Sequence, residues 1–231
     1  MDNNKGNQTG QECIEHKGLL EKLTDEQFNR ILQNHNTFLF EKGEIICSEG
    51  NEIINFLFLQ KGLIKLLKTG KNNKEHIINV AKPDDFIGLL NFFSRSEYLY
   101  SVTAIEDSVV CGIDFRLMKQ LLEENSGFAM DIIEKISLAA NDAVNARLKI
   151  NSRQLRGRIA YIILFFAEHI YGKDHFELPI SRKEIAQLID MSTENVIRIL
   201  SEFRKDKIIS IDGKKITILD HDRLKRVYEL G

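Results

Sequence analysis

The chain has 231 residues, 43% hydrophobic and 29% charged, which suits a globular protein of two ordinary domains and excludes a disordered or collagen-like chain. No window approaches the roughly 18 consecutive apolar residues a membrane helix needs, and the opening "MDNNKGNQTGQE" lacks the apolar core of a signal peptide, so we expect no membrane partner and a cytoplasmic location. The net charge of −2 is uneven: residues 1–152 carry 17 basic against 22 acidic side chains, −5, whereas residues 153–231 carry 15 against 12, +3, placing a basic excess in the last third.

After the polar tail, "LLEKLTDEQFNRILQNH" spaces Leu20, Leu23, Phe28, Ile31 and Leu32 as a helix does. From Phe38 to about Asp114, short β-rich runs such as "NFLFLQ", "HIINVA" and "SVVCGI" alternate with Gly, Asn and Asp punctuation, the rhythm of a barrel or sandwich. Cys13, Cys47 and Cys111 are far apart and odd in number. They offer no CxxC metal spacing and no disulfide framework, so buried reduced thiols are expected.

Helical spacing begins at "DFRLMKQLLEEN", breaks at Ser126-Gly127 and resumes to about Asn151. Within it Ile133, Ile136, Ala140, Ala143, Arg147 and Ile150 recur at spacings of three and four, a seam suited to a second copy of the helix. Ile132, Leu138, Ala139 and Val144 spread the apolar character beyond one seam, which fits equally a helix packed on its own barrel.

The helix "LRGRIAYIILFFAEHIY" is apolar on most faces and serves as the core of a second domain, ending at Gly172. Ser181 with Glu184 forms a capping box opening a helix with Ile185, Leu188 and Ile189 inward. A turn at Asp190–Ser192 leads to "TENVIRILSEF", where Val196, Ile199, Leu200 and Phe203 fix the core side, so Thr193, Glu194, Ile197 and Arg198 face outward. Such a pair is a helix-turn-helix, whose second helix enters the major groove; alternatively the outer residues are a solvated face with Glu194 and Arg198 as an i,i+4 ion pair. "IISIDGKKITIL" is a hairpin around Asp212-Gly213 and supplies a wing with Lys214 and Lys215 near its tip.

These stretches together resemble the Crp/Fnr family of bacterial transcription regulators over nearly the whole chain. "FEKGEIICSEGNEIINFLFLQKGLIKLLKTG" resembles the family's barrel, "DDFIGLLNFF" and "SVTAIEDSVVCGID" the surroundings of its effector pocket, and "ISRKEIAQLIDMSTENVIRIL" its helix-turn-helix. The resemblance implies an α+β protein: a jelly-roll, cyclic-nucleotide-binding-like barrel over 1–125, a dimerisation helix over 126–152, and a winged helix-turn-helix over 153–231. It implies a homodimer on a palindromic operator in double-stranded DNA, recruiting or blocking RNA polymerase. Arg198 is expected to read guanine and Glu194 cytosine, with Thr193 and Ile197 at the other base-facing positions. Ser181, Arg182, Lys183, Ser192, Asn195 and Lys214 match phosphate-contacting positions or their neighbours. Thr193 stands where cyclic-AMP-binding members have arginine.

The resemblance places an effector pocket at Gly88, Leu89, Leu90, Tyr98, Leu99, Ala143 and Val144. Cyclic-nucleotide binders of the family carry Glu after the glycine and an Arg-Ser or Arg-Ala pair later; here Leu89 follows Gly88, and Tyr98 and Leu99 occupy the pair. Arg95 stands three positions early, and Ala143 and Val144 replace the Thr and Ser offered to adenine. A phosphate buried there would lack its strongest partner, so cyclic AMP is not the expected effector. Cys13 stands alone near the N-terminus, which gives no iron–sulfur ligand set, and haem on His35 or His76 has no positive support. No cofactor or metal is expected, and the effector is left open. A cupin-like enzyme would need several inward His, whereas the barrel region holds His35 and His76. A sensor acting only through protein partners is the other alternative.

Overall fold

A computed structural model describes residues 20–70, 75–94 and 96–231, and among these two compact units are distinguished. One comprises the barrel and the long helix as far as Asp142; the other comprises Ala143–Gly231 with Glu75–Ile77. Cys13, Arg95 and the Leu90 side chain, all named above, lie outside the described residues.

In the first unit, Thr24 caps α1 (Asp25–Gln33) in a capping box with Gln27. Strands β1 (His35–Phe40), β8 (Ser108–Asp114), β3 (Asn55–Lys61) and β6 (Phe86–Ile87) form one antiparallel sheet in that order. The second sheet has the order β2 (Ile45–Cys47), β7 (Ser101–Ala104), β4 (Ile64–Thr69) and β5 (Glu75–Ala81). Register fixes the faces: Phe38 and Leu59 both pair with Val110, so all three point to the barrel interior, while Cys111, paired with Thr37 and Phe58, points outward. That outer side is not wet. Met118 and Leu121 of α3 (Phe115–Glu124) and Phe128 and Ile132 of α4 (Ser126–Asn151) join the same core, so β8 is buried nearly throughout.

The fold class read from the sequence is therefore the one observed, but the seam on α4 is turned. Ile136 packs against the barrel core and Ile150 is buried, whereas the exposed apolar residues are Met130, Ile133, Val144 and Leu148, with Leu138 beside them. At ~100° per residue this stripe lies roughly one position around the helix from the expected one. Arg147 instead pairs with Asp190 at 2.7 Å.

In the second unit, α5 (Leu155–Leu164) continues as a π-helix over Phe165–Tyr171, a widening the sequence reading missed, and stops where Gly172 takes φ 62°. Strand β9 (His175–Glu177) joins β10 (Ile209–Asp212) and β11 (Lys215–Ile218) in the order β10-β11-β9, so the wing hairpin is one side of a three-stranded sheet. Helix α8 (His221–Leu230) packs on α5, with Tyr228 stacked on Tyr161 at 6.0 Å and Arg153 over the Tyr228 ring at 4.0 Å. Neither β9 nor α8 was expected.

Candidate nucleic-acid interface

Helices α6 (Arg182–Leu188) and α7 (Thr193–Lys205) form the expected pair. The Ser181–Glu184 capping box is complete: Ser181 N–H donates to Glu184 Oε2 at 2.7 Å, and Glu184 N–H donates to Ser181 Oγ at 3.2 Å. The turn is tight because Met191 N–H reaches back to the Ala186 carbonyl at 2.9 Å while Asp190 adopts φ 50°, a left-handed stop in which aspartate replaces the commoner glycine. Ser192 then caps α7, its hydroxyl accepting from Asn195 N–H at 3.3 Å.

Val196, Ile199, Leu200 and Phe203 are all buried, as their spacing required, and each such side chain contributes about 1.5–3 kcal/mol. They fix the rotation of α7, leaving Glu194, Ile197 and Arg198 exposed and Thr193 half-buried at its first turn. Hydrogen bonds from its own backbone N–H and from the Ser192 hydroxyl hold the Glu194 carboxyl below the usual range, so it is an anionic acceptor at the front of the helix. Arg198 is not paired with Glu194. Its Nη1 donates to Glu202 Oε1 at 2.5 Å and its Nη2 to Asn195 Oδ1 at 3.3 Å. The other Glu202 oxygen accepts from Arg156 Nη1 at 2.6 Å, so one carboxylate bridges two arginines.

Among the expected phosphate contacts, Ser181, Lys183 and Lys214 are exposed. Arg182 is half-buried, and its Nη2 donates to the Gly213 carbonyl at 2.9 Å, tying the start of α6 to the wing turn. A concave surface of about 460 Å³ beside α7 is lined by Arg153, Arg156, Arg158 and Arg198. The sequence reading passed over Arg156 and Glu202, although the four-residue step from Arg198 to Glu202 was the available signal.

The family model for the cyclic nucleotide-binding domain matches residues 37–125, and that for the Crp-like helix-turn-helix domain matches residues 157–227. The chain belongs to the Crp/Fnr family of transcription regulators. It is 24% identical over 184 residues to the transcriptional activator protein anr of Pseudomonas aeruginosa, covering 78% of this chain and 75% of the relative. The fumarate and nitrate reduction regulatory protein of Vibrio cholerae is 22% identical over 203 residues, covering 86% and 80%. The solved structure of FixK2 from Bradyrhizobium japonicum shares the fold with a TM-score of 0.76 at 20% identity, covering 84% of this chain and 96% of that one.

In this Crp/Fnr regulator the structure brings Gly88, Leu89 and Tyr98 together. Gly88 has φ 81°, and a Cβ there would lie 2.9 Å from the Tyr98 ring. Leu89 and Tyr98 are 6% and 5% exposed, so ring and side chain already fill the space beside that glycine. Leu99 is exposed, and its carbonyl accepts from Lys68 Nζ, which also pairs with Glu49 at 2.5 Å. Ala143 and Val144 are exposed on α4.

Burial pushes the Cys47 thiol up to about 12. Cys111 is disulfide-bonded, a correction to the expectation of reduced thiols throughout. His35 Nδ1 lies 3.0 Å from the Leu32 carbonyl and His76 is exposed. Among the described residues no group of three His, Cys, Asp or Glu is placed to hold a metal ion, and no helix is long and apolar enough to cross a membrane.

Proposed function

We propose that two copies of this regulator bind a two-fold symmetric duplex, each placing Thr193, Glu194, Ile197 and Arg198 in one major groove, with half-sites one helical turn apart. The observation that carries this reading is the rotation of α7: its buried side leaves no other face for those four residues. Glu194 accepts from cytosine N4, Arg198 donates to guanine O6 and N7, and Ile197 meets a thymine methyl. Ser181, Arg182, Lys183, Ser192, Asn195 and Lys214 set the register on phosphates. The exposed stripe on α4 supports pairing with a second copy, since four large apolar side chains on one helix face are costly in water. The bound dimer recruits or blocks RNA polymerase in the cytoplasm, and the protein is not an enzyme.

The barrel does not take cyclic AMP. Leu89 supplies no carboxylate for a ribose, and the Tyr98 ring stands against Gly88. Selection of duplexes from a random pool by the purified protein, with and without a small-molecule extract, tests the reading. A palindrome with half-site centres about 10–10.5 base pairs apart is expected, and recovery of sequences without two-fold symmetry refutes it.

A further inference from the structure

The barrel of the first unit holds a cavity of about 440 Å³, within the ordinary range for small-molecule sites. Its inner wall is Phe38, Phe40, Leu57 and Val110 from one sheet with Cys47 from the other. Leu39, Ile45 and Ile54 line it too, and these are 52%, 57% and 63% exposed, so apolar surface continues from the interior out to solvent. The polar lining is Glu44, Asn51, Glu52 and Asn55, and no Lys, Arg or His lines it among the described residues.

This is not the pocket of the Gly88 segment. Of the described residues assigned to that pocket, Tyr98 alone lines the cavity, and its ring also stands 2.9 Å from where a Cβ at Gly88 would lie. The backbone of Tyr98 is fastened to the cavity's own turn: Tyr98 N–H donates to the Asn51 carbonyl and Gly50 N–H donates to the Tyr98 carbonyl, both at 2.9 Å.

We propose that this cavity, whose described lining is apolar side chains with Glu44 and Glu52 and no basic residue, binds a small aromatic amine, with Tyr98 as the wall that relays occupancy to Gly88 and Leu89. The aromatic body replaces water against Phe38, Phe40, Leu57 and Val110, and the ammonium pairs with the two carboxylates. An anion of the same shape meets those carboxylates without a compensating cation among the described lining residues, which gives the site its sign. The inference concerns binding by the barrel and stands or falls separately from the DNA sequence read by α7.

The chain has no tryptophan, so indole fluorescence in a mixture belongs to an added probe. Titrating the full-length protein against tryptamine, tryptophol and indole-3-acetate compares one shape as cation, neutral alcohol and anion. Saturable binding of tryptamine, at least about tenfold tighter than indole-3-acetate with tryptophol between them, is expected. The E44Q/E52Q variant should bring tryptamine to the level of tryptophol, with tryptophol itself unchanged. Ile54→Arg places a cation at an exposed rim position without touching the core and should abolish tryptamine binding while leaving the unfolding temperature in place. No saturable binding of tryptamine, equal binding of the three probes, preference for the anion, or full retention by Ile54→Arg each overturns the proposal.

Discussion

Replacing Glu202 by Gln should tighten operator binding, because Glu202 holds the guanidinium that the proposed docking sends to guanine. The Arg198–Glu202 side chains are 55% and 34% exposed, so the pair is a surface one worth about 0.3–0.5 kcal/mol. Arg198 gives that up on entering the groove, against about 1–3 kcal/mol from a bidentate guanine contact. Removing the competitor should therefore raise affinity about twofold, whereas Arg198→Ala should lower it about three- to seventyfold. In an Arg198→Ala background the Glu202→Gln gain should shrink toward nothing, since there is no guanidinium left to release. Arg156 keeps Asp206 at 3.2 Å when Glu202 is lost, so unfolding free energy should fall by less than about 1 kcal/mol. Fluorescence-anisotropy titration on the selected operator, and on one with the guanine replaced, measures all of these at two salt concentrations. If Glu202→Gln binds more weakly at equal folded fraction, or keeps its full gain without Arg198, the assigned docking of α7 is wrong.

Arg182→Ala should weaken all duplexes alike and reduce the salt slope by about 1, and hydrogen exchange should show the wing turn opening as the Gly213 carbonyl loses its donor. Calorimetric titration with cyclic AMP should give only heat of dilution; tight stoichiometric binding would reverse the interpretation of Leu89 and Tyr98. Burial pushes the Glu168 carboxyl up, but hydrogen bonds from His221 and Lys225 outweigh it and hold the group below the usual carboxylate range. Its stabilising effect is therefore present above the unfolded-state value and lost as pH falls through the lowered folded value. Thermal unfolding of Glu168→Gln should be flatter across that acid window than the parent, and parallel curves would remove the role. Gly88→Ala should cost about 1–3 kcal/mol in denaturant unfolding, since its φ of 81° is strained for alanine and the new methyl meets Tyr98; an unchanged midpoint would contradict that contact.

The recognition helix was legible in the sequence because its two sides differ sharply. Val196, Ile199, Leu200 and Phe203 admit one rotation, and Ser181, Glu184 and Ser192 punctuate the helix starts as caps. The long helix was less legible for the opposite reason. With Ile132, Ile133, Ile136, Leu138 and Val144 spread around it, a 3.5-residue seam can be drawn in more than one phase, and only packing against the barrel decided that Ile136 turns inward. The Arg156–Glu202–Arg198 bridge joins α5 to α7, a long-range contact that periodicity within one helix does not report. The π-helical widening at Phe165–Tyr171 left no local signal, since aromatic and aliphatic residues there suit an α-helix as well. The open barrel cavity escaped for a similar reason: strand patterning says which side chains face inward, not whether they meet.

The hydrogen bond from Arg182 to Gly213 has a kinetic side. A hairpin turn that had to be ordered on contact with a duplex would charge the complex about 1–2 kcal/mol for each residue immobilised. Held against the start of α6 beforehand, the turn has already surrendered that freedom during folding, so on the proposed docking wing and helix would meet the phosphates in a single encounter with a smaller entropic toll of association.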